Sequence, residues 1–502
     1  MRPTHSPTDN SLKYRLKLRS FIALLATTTL FTVASTLILP QPKANAYPNA
    51  NVDFTGHGWG HGIGMGQWGS LGYALGQDGG LGNWTYQEIL THYYGGTSIQ
   101  TIPSPEPNVS VALLENNDND VIVTAPGGVS VPGVTGTNSS APAVLFAPSG
   151  NGSTWIVQTG AGCAGPTWTT VATGLTNPTT QAASNSTNTS AGDVIQLCLG
   201  GGNMSVQGSL GATYNSAGAL RTVNTLPLEE YVADVAPAES PSDWAFYGGP
   251  GPQGMDWGFQ QSEAQTVAAR SYVESNPLGY GGYADICDTT ACQEYQGVKY
   301  ETPTSIQAAA DTAGQVMEFG TKPGGTIATT EYSASTGGYT AGGPFPSVPD
   351  AGDSICIPNG PCNPNHTWTA TVPVTTIEST WPQIGTLESI NVTARNGYGQ
   401  WGGRATEVSV VGSSTTLTLT GAQFAGSIGL NSDWFIVTAQ ASGGVGGYWE
   451  VASDGGIFSF GDAHFYGSMG GIPLNKPVVG MAVTPDGGGY WEVASDGGIF
   501  SF

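Results

Sequence analysis

Leu226-Pro227-Leu228-Glu229-Glu230-Tyr231-Val232-Ala233-Asp234-Val235-Ala236-Pro237-Ala238-Glu239-Ser240-Pro241 is the stretch on which the reading of this chain turns. Pro227 suits a first helical turn, and Glu229 and Glu230 sit where the helix dipole favours acids. Leu228, Tyr231, Val232 and Val235 form one apolar face at helical spacing. The pattern predicts a helix within residues 224–237 that stops before Pro237 and leaves Glu239 just past its C-terminus. A carboxylate at the negative end of a helix tends to hold its proton, as a general acid near neutral pH must. The plainer alternative is a solvated loop acid.

A second helix is predicted from Gln260 to Ser275, with Ala264, Val267, Ala268 and Ser271 on one face. Such small side chains allow close packing against a neighbour. Two readings of the other face stand open. Either Gln265 and Arg270 point into a cleft, or Arg270 pairs with Glu274 four residues on, which stabilises by only about 0.2–0.5 kcal/mol.

Outward from these helices, the 502 residues leave room for two or three domains. Lys13, Arg15, Lys17 and Arg19 precede an apolar, Thr-rich run over 21–40, and Ala44-Asn45-Ala46 reads as a small-residue cleavage site. Residues 1–46 are therefore expected to be a secretory signal, with a mature chain starting near Tyr47. A retained anchor is the alternative. Residues 1–46 hold six of the 13 Lys/Arg and one of the 36 Asp/Glu, so the remainder carries 7 basic against 35 acidic side chains, a net of −28. That charge repels nucleic-acid phosphates and anionic membrane surfaces. It is compatible with a polysaccharide partner, and equally with simple solubility. No membrane contact is expected after signal cleavage.

Residues 53–100 hold a Gly- and aromatic-rich motif and two helix-like stretches, 67–75 and 86–94. Residues 107–222 alternate short β-type runs (109–114, 121–124, 154–158, 194–199) with Gly, Ser, Thr and Asn, and 176–192 reads as a disordered tip. Residues 223–437 carry two helical patterns followed by strands. Six cysteines fall as three neighbouring pairs: Cys163 with Cys198, Cys287 with Cys292, Cys356 with Cys362. Behind a signal peptide they point to disulfides, although sequence leaves their connectivity open, and nearest-neighbour pairing is only the simplest arrangement.

Residues 443–502 are a repeat. Gly-Tyr-Trp-Glu-Val-Ala-Ser-Asp-Gly-Gly-Ile-Phe-Ser-Phe occurs from Gly447 and again from Gly489, with a period of 42 between Tyr448 and Tyr490. Short aromatic strands and Asp-Gly turns resemble propeller blades. Fewer than two blades cannot close a propeller, so either the chain is a piece of a longer array or the repeats pair with another chain.

Gly56-His57-Gly58-Trp59-Gly60-His61-Gly62-Ile63-Gly64-Met65-Gly66-Gln67-Trp68-Gly69 alternates glycine too densely for a helix, which excludes a helical zinc motif on His57 and His61. It reads either as a loop placing Trp59 and Trp68 near a sugar groove or as a structural turn with core tryptophans. Tyr93, Tyr94, Trp244 and Trp257 offer further flat faces, of the kind that is usually core.

Taken together, Leu226-Pro227-Leu228-Glu229-Glu230-Tyr231, the Pro237-Ala238-Glu239 turn and the Ala264-Gln265-Thr266-Val267-Ala268-Ala269-Arg270-Ser271-Tyr272 helix resemble the SpoIID/LytB family. So do Cys287-Asp288-Thr289-Thr290-Ala291-Cys292-Gln293-Glu294-Tyr295-Gln296-Gly297, Tyr332-Ser333-Ala334-Ser335-Thr336-Gly337-Gly338, Gly429-Leu430-Asn431-Ser432-Asp433-Trp434-Phe435 and the Gly-His stretch, over roughly 53–437. In many relatives that last motif lies on the C-terminal side. The resemblance implies an α+β fold, a SpoIID-like mixed core over 47–440 with a β-rich segment and two or more helices, followed by the short β-repeat.

The family contains sporulation lytic transglycosylases acting on peptide-stripped peptidoglycan glycan strands, and an enhancer of a cell-wall amidase. By position, Glu239 matches the catalytic acid, without a paired carboxylate of the usual glycosidase kind. Gln265, Arg270, Tyr272, Gln293, Tyr332, Ser335, Gly337, Gly338 and His61 match positions implied to shape or line the substrate cleft. The implied protein is exported to the cell wall and takes no cofactor, and its implied partners are glycan strands and a cell-wall amidase. Two departures stand out. Glu263 replaces a frequent lysine, removing a basic contact to the sugar. Ala291 stands where some relatives place a zinc-binding histidine, so a Cys287–Cys292 disulfide is expected and no metal.

Overall fold

In the computed structural model of the chain, the described residues are 50–502 apart from 78–79, 81, 103–106, 138–140, 166, 183–193, 321–322, 358–359, 440–447, 461–462 and 485–488. The expected signal segment 1–46 lies outside them, as does most of the expected disordered tip. Residues 179–182 of that tip form a strand. Seven α-helices are described: α1 Gln67–Ala74, α2 Tyr86–Tyr93, α3 Leu228–Glu239, α4 Phe259–Glu274, α5 Pro303–Asp311, α6 Val374–Thr380 and α7 Gly421–Ile428. With the strands below, the fold is α+β.

The β-rich segment builds the largest sheet, whose path runs 286–287, 108–112, 220–227, 209–214, 179–182, 121–130, 141–148, 155–160 and 169–175. Its pairings are antiparallel except that 286–287 lies parallel to 108–112. Strand Leu220–Pro227 runs without a break into α3. The helix expected from 224 therefore starts four residues later. Asn224 is committed to the sheet interior, paired with Leu210 and Val111, and its buried amide donates to the Gln207 and Ser209 carbonyls at 2.9 and 3.0 Å. Leu228, Tyr231, Val232 and Val235 then pack on the sheet residues Val109, Val111 and Leu226.

Helix α3 also continues through Pro237 to Glu239, correcting the expected stop. Proline removes a single N–H, that which would bond the Ala233 carbonyl, and in the last turn this leaves the remainder of the ladder intact, including Ser240 N–H to Ala236 O at 2.9 Å. Helix α4 lies against α3, and its Ala264, Val267 and Ala268 pack with Tyr73, Ile89, Leu90 and Tyr93 of α1 and α2. The small face expected from sequence thus sets the close approach of three helices.

A separate core forms where strand Asn51–His57 sits between Thr367–Pro373 and Phe435–Ala439. Phe54, Trp381, Phe424 and Phe435 pack there with the sheet 387–395, 405–412 and 416–419. Helices α5 and α7 begin with reciprocal caps, Thr302 with Ser305 and Thr420 with Gln423, local signals that the hydrophobic pattern alone had not exposed. Cys163–Cys198, Cys287–Cys292 and Cys356–Cys362 are disulfide-bonded, the nearest-neighbour arrangement. The two repeat copies form a two-stranded sheet (448–451, 457–460) and a three-stranded one (478–483, 490–494, 499–501), and no propeller closes.

Candidate functional site

Glu239 is the last residue of α3, and the residue after it is clamped. Ser240 receives the Gln261 amide at 3.1 Å and donates to the Gln265 carbonyl oxygen at 3.3 Å. Gln265 is fully buried, so it fixes the end of α3 against α4 and does not face solvent. The Glu239 carboxylate, partly exposed, accepts the Glu294 N–H at 2.7 Å. That N–H lies two residues after the Cys287–Cys292 bridge.

Around the acid, one polar network ties three parts of the chain together. The Gln293 side chain accepts from the Tyr231 hydroxyl at 2.8 Å and donates to the Tyr332 hydroxyl at 2.9 Å. Tyr332 and Gln67 lie close enough to Glu239 to favour its charged form. Burial outweighs them and the Glu294 N–H, and with the nearby Glu294 charge it holds the Glu239 carboxyl above the ordinary carboxylate range. The upward shift at this position is thus a consequence of desolvation, where the sequence had pointed to the helix dipole.

Tyr272, half-buried on α4, feels the charges of Glu331 and Glu239 and lines an open groove with Asn276, Tyr280, Asp285, Cys292 and Thr329. Arg270 is placed otherwise than either sequence reading. It is wholly buried and forks onto Glu229, with its Nε 3.0 Å from Oε1 and its Nη2 on Oε2, and donates a further bond to the Gln315 carbonyl at 3.1 Å. It pins α4 to the first turn of α3, so its influence on the cleft is through shape. Glu263 is also buried, held by Gln260 at 2.6 Å and Gln253 at 3.1 Å, with burial pushing its carboxyl up to about 7.

The 332–338 loop is organised from behind by two buried acids absent from the sequence reading. Asp353 accepts from the Ser335 hydroxyl at 2.8 Å, the Gly337 N–H at 3.0 Å and His366 Nδ1 at 2.8 Å. Asp350 accepts from Thr336 at 2.6 Å and Tyr93 at 2.7 Å. Ser335 and Gly337 are consequently buried supports, and Gly338 is partly exposed. Strand 332–333 pairs in parallel with Met65–Gly66, which brings the Gly-His stretch and Gln67 to the same place.

In that stretch Gly58, Gly60, Gly62 and Gly64 all have positive φ, and a Cβ on Gly62 would fall 2.1 Å from the Arg404 guanidinium. Only glycine serves there. His61 is exposed with its ring beside the Tyr332 main chain, and Trp59 is 50% exposed, whereas Trp68 packs on Trp244. Tyr93, Tyr94 and Trp244 are buried core and offer no stacking surface. Among the described residues no group of His, Cys, Asp and Glu is arranged to hold a metal ion. Nor is any described helix long and apolar enough to cross a membrane.

The geometry defines an α+β protein with a partly exposed carboxylate, raised by burial, at a helix end near a tyrosine-lined groove. Residues 216–319 match the family described as SpoIID: Stage II sporulation protein. The chain therefore carries a SpoIID-family domain, spanning strand 220–227, α3, α4, the Cys287–Cys292 loop and α5. A Bacillus subtilis (strain 168) protein named Amidase enhancer is 36% identical over 84 residues, which cover 17% of this chain and 10% of that relative's length. The Tyr332 and Gly-His motifs lie outside the matched span yet supply two neighbours of Glu239.

Proposed function

We propose that this protein acts at the bacterial cell wall as an exported lytic transglycosylase on peptidoglycan glycan strands stripped of their stem peptides. The observation that carries the reading is the Glu239 carboxyl: raised above the ordinary carboxylate range by burial, still partly exposed, and held by the Glu294 N–H. Protonated Glu239 gives its proton to the oxygen bridging MurNAc and GlcNAc as the C1–O bond breaks. The resulting carboxylate takes the proton of the MurNAc C6 hydroxyl, whose oxygen bonds to C1 and closes a 1,6-anhydro ring. Acid and base are the same group, so a second carboxylate is not required and no water is consumed. Tyr272 and Tyr280 offer aromatic faces for sugar rings in the adjoining groove, and Trp59 offers one on the Gly-His loop.

Mass analysis of products from purified denuded strands tests this. Wild type is expected to release peptide-free products ending in 1,6-anhydro-MurNAc, and Glu239→Gln is expected to abolish them. Undiminished release by the variant overturns the assignment.

The name of the Bacillus subtilis relative favours a second reading, a non-catalytic protein that binds the wall and stimulates an N-acetylmuramoyl-L-alanine amidase. Under it, wild type releases nothing from denuded strands but raises amidase turnover on intact peptidoglycan.

A further inference from the structure

Asn396-Gly397-Tyr398-Gly399-Gln400-Trp401-Gly402-Gly403-Arg404 takes no part in the surroundings of Glu239, yet it is a tightly built turn. Asn396 N–H bonds the Arg404 carbonyl at 3.0 Å and Gly397 N–H the Gly402 carbonyl at 2.9 Å. Trp434 fastens it further, its Nε1 donating to the Gln400 carbonyl at 3.0 Å. Within this turn Trp401 has a φ of 57°. A bulky side chain rarely takes that backbone, and holding it there costs free energy. A strained residue in a fixed turn points to a use for the side chain it carries.

That side chain belongs to a cluster of rings. Tyr398, 42% exposed, stacks on the partly exposed Tyr339, with centroids 5.4 Å apart and planes 15° apart. The partly exposed Trp401 ring lies 4.5 Å from that of His57, which is 5.9 Å from that of His366. His366 adjoins Gly338, 3.5 Å from where a Cβ would sit, and its carbonyl accepts the Gly58 N–H next to the exposed Trp59. The 332–338 loop therefore has Tyr332, a neighbour of Glu239, at one end and this cluster at the other.

The two imidazoles give the cluster a definite hydrogen-bonding sense. His366 Nδ1 lies 2.8 Å from the buried Asp353 carboxylate, which spends that N–H and leaves Nε2 of the neutral ring as an acceptor, on a side chain 29% exposed. His57 turns Nδ1 to the His366 carbonyl at 3.3 Å, so its Nε2 is an acceptor too. His57 is 6% exposed, and its Nε2 has no hydrogen-bond partner among the described residues, with only the Gln400 side chain of the turn near it. A buried acceptor in that state costs free energy until a donor reaches it. The turn's cations are already spent, Arg395 on the Gly403 and Phe435 carbonyls and Arg404 on Asp433. An anion finds no free cation here, on a protein of net charge −23. A ligand with flat apolar faces edged by O–H and N–H donors fits, and pyranose sugars have that form.

We propose that this cluster is a second carbohydrate site, which takes an uncharged β-linked N-acetylglucosamine chain on the Tyr398 and Trp401 rings and accepts a sugar O–H or N–H at His366 Nε2. The choice of amino sugar rests on the cell-wall reading above; binding here does not require Glu239 to cut anything.

Titration calorimetry with chitohexaose tests the proposal. Chitohexaose contains no MurNAc, so it is bound without being a substrate of the reaction proposed for Glu239. Wild type is expected to bind it and to bind polygalacturonate, an anionic chain, far more weakly. Tyr398→Ala and Trp401→Gly, the latter suited to the left-handed backbone, are each expected to weaken binding by about two- to tenfold. Tyr398→Phe keeps the flat face and is expected to bind as wild type does. Should a variant lose its circular dichroism melt, wild type alone decides: chitohexaose is expected to slow diethyl pyrocarbonate modification of His366 and to leave the exposed His464 unaffected. Absence of binding, folded Ala and Gly variants that bind like wild type, equal binding of polygalacturonate, or an unprotected His366 would each overturn the site. Wild type that binds chitohexaose at these rings yet releases no anhydro products overturns the Glu239 reading and leaves this one standing.

Discussion

Asp234 and Glu239 lie on the same helix, both have carboxyls raised chiefly by burial, and they differ in what surrounds the acid. Asp234 is fully buried, lies near the charges of Glu301 and Glu230, and neither of its oxygens receives a hydrogen bond. Glu239 is partly exposed and receives the Glu294 N–H. At the first, no donor compensates the anion. At the second, the N–H stabilises the anion and the group is partly exposed. A raised pKa thus marks both residues, and access and a donor distinguish the acid proposed to act from the one that only packs.

The sharpest way to break this comparison is to exchange amides for acids. Glu239→Gln is expected to cut anhydro-product release by about 10²–10⁴-fold, the range of general acid–base catalysis, while Asp234→Asn leaves it unchanged. Product analysis on denuded glycan reads both; the reverse outcome would mean that burial mattered more than access. Next in size, Arg270→Met takes the cationic partner from the Glu229 carboxylate, leaving it the Gly314 N–H, and is expected to cost about 3–5 kcal/mol of stability, measured by urea unfolding. Any activity lost beyond the unfolded fraction would assign Arg270 more than a role in shape.

Smaller again, Tyr332→Phe takes one of the two acceptors of the Gln293 amide and leaves the Ala269 carbonyl at 3.4 Å, at about 0.5–1.5 kcal/mol, and removes a group that favours ionised Glu239. The rate should fall as pH rises through the Glu239 pKa, because the acid must be protonated, and in Tyr332→Phe that alkaline limb should move to higher pH. A pH–rate series decides it. The subtlest effect concerns stability alone. Asp234 and Glu263 bind protons more tightly folded than unfolded, so the unfolded chain releases protons first as pH rises. Their contribution is complete below the ordinary carboxylate values of about 4 and is lost as pH climbs through the folded-state values, about 7 for Glu263. Asp234→Asn should flatten part of that decline in thermal melts taken from acid to mildly alkaline pH.

Much of this arrangement was legible in the residues, because local patterns wrote it. The apolar spacing of Leu228, Tyr231, Val232 and Val235 and the small face of α4 gave both helices and their close packing. The alternating glycines of 56–66 ruled out a helix, and four of them adopt left-handed φ. What sequence could not reveal are the partners brought from afar. Glu229 meets Arg270 across 41 positions, and Asp353 holds the 332–338 loop from behind. Gln67 reaches Glu239 only because strand 65–66 finds 332–333. No periodicity encodes such meetings. Pro237 misled for a different reason: a helix tolerates proline in its last turn when the single lost bond lies at its end.

Strand Asn51–His57 has a consequence for how this chain reaches its fold. It lies between partners at 367–373 and 435–439, which are made more than three hundred residues later. The first strand of the domain must therefore wait, unpaired, until nearly the whole of it exists. Closing so long a loop makes folding slow relative to a chain of local contacts.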